Sequence, residues 1–155
     1  MSRKINTRLK DLGIELPAAA APIANYVPYV VAGNLVFVAG QICRIAGRME
    51  YAGKVGKDLS EEEGRAAARV CALNVLAVLK SACDGDLDRV KRCVRLGVYV
   101  NSADSFAAQP QVANGASDLV VEVFGDNGKH ARAAVGCNSL PANAAVEVEG
   151  VFELK

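Results

Sequence analysis

The chain has 155 residues, 52% of them hydrophobic and 23% charged, with a net charge of +1. That length suits one domain with a real core, the composition argues against a disordered chain, and the near-zero charge argues against steering of nucleic acid. The longest apolar stretches are far shorter than a membrane span.

Residues 2 to 13 read as a short helix, because Ile5, Leu9 and Leu12 recur at i, i+4 and i+7, charges lie between them, and Gly13 stops the run. Pro17 and Pro22 bracket an extended approach. Two β-rich runs, 29–32 and 35–40, surround Gly33-Asn34, the signature of a tight hairpin. A short strand over Arg48 to Tyr51 is possible after Gly47.

Ser60-Glu61-Glu62-Glu63 is a capping box, and its three glutamates suit the positive end of a helix dipole. The helix is predicted from about 61 to 82. One apolar line follows Ala66, Val70, Leu73 and Ala77, with Leu76 and Leu79 beside it; Glu62, Arg65, Arg69 and Lys80 mark the polar side. Asp84-Gly85-Asp86 ends it. After a turn at 87–90 comes a strand, 93–100. The basic residues Arg89, Lys91, Arg92 and Arg95 are read as a wet face at this junction rather than a nucleic-acid patch. Pro110 opens a second helix over about 110–124, buried through Val112, Leu119 and Val123, with Gly115 as its weak point. Gly125-Asp126-Asn127-Gly128 is a turn, and 131–138 and 145–154 are the last two strands.

These two strands read as strand, turn, strand. The first carries Arg132 and the second Glu147 within an apolar run. A cation and a carboxylate brought close on paired strands can hold a small carboxylated molecule and direct a water at it. The five cysteines contain no CxxC pair, and the single histidine, His130, stands at no metal-site spacing from them. No metal is therefore expected. The odd thiol count and the lack of a secretory signal point to a reducing cytoplasm, and most of the thiols are read as small buried hydrophobes.

The order ββ(β)αβαββ, after the N-terminal helix, implies an α+β single domain: a mixed sheet with two helices packed on one face. The other face of the sheet then needs a cover. Strands 34–39 and 93–100 are apolar on both sides, which favours burial in an oligomer.

From residue 22 to 155 the chain resembles the RidA/YjgF family (YjgF/YER057c/UK114), as a divergent member. The resemblance rests on Pro22-Ile23-Ala24-Asn25-Tyr26-Val27, Gly33-Asn34-Leu35-Val36-Phe37-Val38-Ala39-Gly40-Gln41, Asn74-Val75-Leu76-Ala77-Val78-Leu79, Asp86-Leu87-Asp88-Arg89-Val90, Val98-Tyr99-Val100, and Ala131-Arg132-Ala133-Ala134-Val135 with Leu140-Pro141 and Val146-Glu147-Val148-Glu149. It implies a chorismate-mutase-like fold and a homotrimer with clefts between subunits. It also implies hydrolysis of reactive enamines and imines to 2-keto acids and ammonia, with no cofactor. By the same resemblance Arg132 binds the substrate carboxylate and Glu147, with Glu149 as its rival by strand parity, orients water. Tyr26 closes over the ligand, Gly40 and Gln41 line the floor, and Asn114 matches loosely an asparagine of the second helix. Ala134 stands where a cysteine is common, so only its backbone can serve. His130 is extra, read as a turn residue rather than a pH-sensitive cleft residue. The alternative function is a non-catalytic keto-acid binding or sensing protein of the same fold. Neutral charge and the lack of an aromatic-basic stripe argue against RNA cleavage.

Overall fold

A computed structural model describes residues 4–21 and 24–155. The element order is α1 (Lys4–Asp11), β1 (Tyr29–Ala32), β2 (Leu35–Ile42), β3 (Arg44–Ile45), β4 (Arg48–Met49), α2 (Glu61–Ala82), β5 (Val90–Asn101), α3 (Gln109–Phe124), β6 (Ala131–Cys137) and β7 (Val146–Leu154). The expected helix start at residues 2 and 3, and Pro22-Ile23 of the extended approach, lie outside the described residues.

The main sheet has five strands in the order β1-β2-β7-β5-β6; β3 and β4 form a separate two-stranded ribbon. All pairings in the main sheet are antiparallel except β5 with β6, the two strands joined through the crossover helix α3. This is the α+β architecture expected. The β1–β2 loop has two residues with Gly33 at φ 61, which fits a type II′ turn. The Ser60 hydroxyl accepts from the Glu63 amide at 3.1 Å, and the Glu63 carboxylate accepts from the Ser60 amide at 2.7 Å. Ser60→Ala removes half of this box and is expected to cost about 1 kcal/mol, read as a lower urea midpoint.

The apolar line expected on α2 is displaced. Ala66, Val70 and Leu73 are half-buried, while Gly64, Ala68, Cys71, Val75 and Val78 are buried. The reason is that α2 packs against both the sheet and α3, so its small residues face the tightest contacts. Gly115 is helical because the crossing demands it: a Cβ there would lie 2.0 Å from the Arg65 carbonyl oxygen.

Helix α1 docks on the main body through its first amides. Lys4 N and Ile5 N both donate to the Asp88 carboxylate at 2.8 Å, Arg8 Nε donates to the Glu122 carbonyl, and Leu9 is buried. A carboxylate from another element thus satisfies free donors at a helix N-terminus. The basic cluster is a wet face as expected: Arg89 pairs with Asp84, Lys91 and Arg92 with Glu153, and Arg95 with Glu149. Four of the five cysteines are buried, and burial pushes the Cys93 thiol up to about 12.

The last two strands do not pair. β5 lies between them, hydrogen-bonded to β6 on one side and β7 on the other. Strand β7 alternates buried and half-buried residues along its whole length and takes the centre of the sheet, whereas the Ala- and Gly-rich β6 takes the edge. The expected juxtaposition of Arg132 and Glu147 on neighbouring strands therefore fails within one chain.

Candidate functional site

Register fixes which way each site residue points. Arg132 is opposite Leu96 and Leu96 is opposite Gly150, all on the face carrying the helices. Glu147 is opposite Tyr99, on the other face. In β2 the register shifts between Val38 and Gln41: Val38 pairs with Gly150, yet Ile42 pairs with Glu147. This bulge reverses the parity of the strand and turns its last residues toward Glu147.

Gly40 sits at the bulge and lets the Glu147 side chain lie where a Cβ would otherwise be. A Cβ there would lie 2.3 Å from Glu147 Oε1. The carboxylate thus crosses directly over the β2 backbone. It borders a cavity of about 780 Å³ shared with Tyr26, Gly40, Gln41 and Arg44. Asn74 of α2 fixes this end of the sheet by donating to the carbonyls of Ile42 at 3.1 Å and Arg44 at 2.8 Å. Two walls were not foreseen: the extended segment Pro17–Ala21, and Pro141-Ala142. Ala46 and Ala142, both on the cavity wall, hold left-handed φ values of 51 and 55, a strain that clusters at functional sites.

The two glutamates of β7 have separate environments. Glu149 accepts from the Tyr99 hydroxyl at 2.9 Å and pairs with Arg95 at 3.5 Å. Among the described residues Glu147 has no hydrogen-bond or ion-pair partner. Burial, followed by the negative charge of Glu149, raises its pKa above the ordinary carboxylate value. A carboxylate whose neutral form is favoured in this way is suited to taking up and releasing a proton.

Arg132 is held elsewhere. Its Nη1 donates to Asn114 Oδ1 at 2.9 Å and Ser117 Oγ at 3.1 Å, and its Nη2 to the Pro110 carbonyl at 3.4 Å. Arg132 and Asn114 therefore meet, and half-buried Ala134 follows two residues along the same strand. His130 stands just before β6; its ring joins Ser117 Oγ at 2.9 Å and the Gly128 carbonyl at 2.6 Å. It lies in the two-residue link between the 125–128 turn and β6, at the strand start, and its ring buttresses the hydroxyl that orients Arg132. Ser117 was missed in the sequence; its only signal is its position one helical turn after Asn114.

One chain thus holds two half-sites: a carboxylate cavity at the β2–β7 end, and an arginine braced by α3 at the β6 edge. With this fold they define the class, and the chain belongs to the YjgF/RidA family. The family model described as "YjgF/chorismate mutase-like, putative endoribonuclease" matches residues 6–154. The chain is similar to protein TCP17 of Trypanosoma cruzi, 52% identical over 156 residues, covering 99% of this chain and 96% of that protein. Among solved structures it is similar to Atu1372 of Agrobacterium tumefaciens, described as of unknown function, with 44% identity, 98% of this chain and 93% of that chain covered, and a TM-score of 0.92. It is also similar to a protein of Shewanella oneidensis MR-1 described as a putative endoribonuclease, with 38% identity, 97% and 99% covered, and a TM-score of 0.93.

Proposed function

We propose that this protein hydrolyses reactive enamines and imines of amino-acid metabolism to 2-keto acids and ammonia, in a cleft between subunits of a cytoplasmic homotrimer. The observation that carries the reading is Glu147: an unpartnered, half-buried carboxylate laid over Gly40 inside a cavity, with its pKa raised. The oligomer is supported by the open sheet face, where Val30, Phe37 and Val135 are 52%, 45% and 46% exposed. A neighbouring copy would bring its Arg132 to this chain's Glu147, joining the two half-sites.

The chemistry needs little. After the enamine tautomerises, Arg132 holds the imine's carboxylate through a bidentate fork. Glu147 takes a proton from water as its oxygen attacks the imine carbon. The resulting carbinolamine receives a proton on nitrogen, the C–N bond breaks, and ammonia leaves as the carbonyl forms. Backbone groups at Gly40 and Ala134 orient the substrate and Tyr26 shields it. The scheme calls for no metal or cofactor. The endoribonuclease description of the family finds less support here, since a chain of net charge +1 whose cavity carries one cation among the described residues suits a small anion better than a polynucleotide.

Coupled to a PLP-dependent dehydratase, the purified protein is expected to accelerate keto-acid release, and Arg132→Ala to abolish the acceleration. No acceleration with any amino acid would overturn the enzymatic reading; keto acids still raising the melting temperature would then assign the cleft to binding or sensing. The pH profile adds a finer check. Glu149→Gln removes the like charge beside Glu147, so Glu147 ionises at lower pH. The acid limb of kcat/KM is expected to move to lower pH, and an unmoved limb would detach Glu147 from that limb.

A further inference from the structure

The reading above leaves Arg44 without a role. Its backbone carbonyl is pinned by Asn74, and the residue lines the cavity that holds Glu147. Its Nε is buried and, among the described residues, has no hydrogen-bond partner. None of the ion pairs among the described residues includes Arg44 or Glu147. Among the described residues lining this cavity, Arg44 is the one cation and Glu147 the one carboxylate, and the two do not meet. A buried guanidinium N–H left unpaired is unfavourable, and a ligand acceptor would relieve it.

We propose that Arg44 is an anion-binding residue of the cavity, and that the substrate carries a second carboxylate in addition to the one assigned to Arg132. The inference rests on the proposed reading, which supplies Arg132 from a neighbouring copy. Two guanidinium groups around a single carboxylate then favour a dianionic ligand: the enamine or imine of a dicarboxylic amino acid. The size admits such a ligand, because the cavity of one chain measures about 780 Å³ before a neighbouring copy closes it. So does the rest of the wall. Ala18 to Ala21 offer no charged side chain, so among the described lining residues Arg44 is the one charged partner for a distal carboxylate.

Calorimetric titration of the full-length protein with 2-ketoglutarate and with 2-ketobutyrate tests this without turnover. The wild type is expected to bind the dicarboxylate about tenfold or more tightly. Arg44→Gln is expected to bring the ratio near one, and Arg44→Lys to keep part of it. No preference in the wild type, a preference unchanged in Arg44→Gln, or no binding of either acid would overturn the proposal. The deamination reading fails separately, by absent keto-acid release in the coupled assay, whatever the binding ratio.

Discussion

Replacing Glu147 by glutamine is expected to lower kcat by about 100- to 10,000-fold, the usual contribution of a positioned acid–base group, and at the same time to make the protein more stable at neutral pH. The two effects share one cause. The fold surrounds this carboxylate with buried surface and the Glu149 charge, and supplies no partner among the described residues, so the neutral form is favoured. A carboxyl whose folded pKa lies above its unfolded value stabilises the fold at pH below the unfolded value. That contribution is lost as pH rises through the folded pKa. Glutamine keeps the shape without the ionisation. Thermal melts from about pH 4 to about pH 7 should therefore show the Glu147→Gln melting temperature gaining on the wild type as pH rises. A variant that loses activity and is also less stable at pH 7 would show that Glu147 serves the structure instead.

Gly115→Ala carries the largest structural penalty, about 3 kcal/mol, near the top of the range for overpacking. The added Cβ would sit 2.0 Å from the Arg65 carbonyl oxygen and 2.9 Å from its carbon. Both are backbone atoms of α2, and no rotamer change relieves the clash. The helices must part, and buried Ala68, Ala72 and Ala116 lose close packing. Gly115 also stands between Asn114 and Ser117, two of the acceptors that brace Arg132. The substitution should thus raise KM in whatever fraction remains folded. Urea denaturation reads the stability loss; a change under about 1 kcal/mol would mean that the α2–α3 crossing is looser than described.

Local chemistry was legible in the sequence and long-range placement was not. Helix α2 begins and ends as read, because the Ser60–Glu63 box and Asp84-Gly85 are short-range signals. The Gly33-Asn34 hairpin is legible for the same reason. The order of strands depends on which strand buries both of its edges, and an arginine and a glutamate 15 residues apart carry no sign of the β5 strand between them. Glu147 could be nominated, but its advantage over Glu149 comes from Tyr99 and Arg95, which occupy Glu149 alone. Nothing local marks Arg44, which lies two residues past the end of β2. Its place in the cavity of Glu147 comes from the fold, with the end of β2 on one side and the Pro17–Ala21 segment on another. His130 stands at the strand start, while its tie to Ser117 spans 13 residues of chain and is visible only in the fold.

The central claim is that Arg132 of one subunit and Glu147 of another build a single deaminating cleft. It is tested most directly by mixing two inactive variants, Arg132→Ala and Glu147→Gln, unfolding them together and refolding them as mixed oligomers. Random assembly leaves both native groups in about a quarter of the clefts, so about a quarter of wild-type deaminase activity is expected to return. A mixture as inactive as its two parents, from subunits shown to exchange, would contradict the shared cleft.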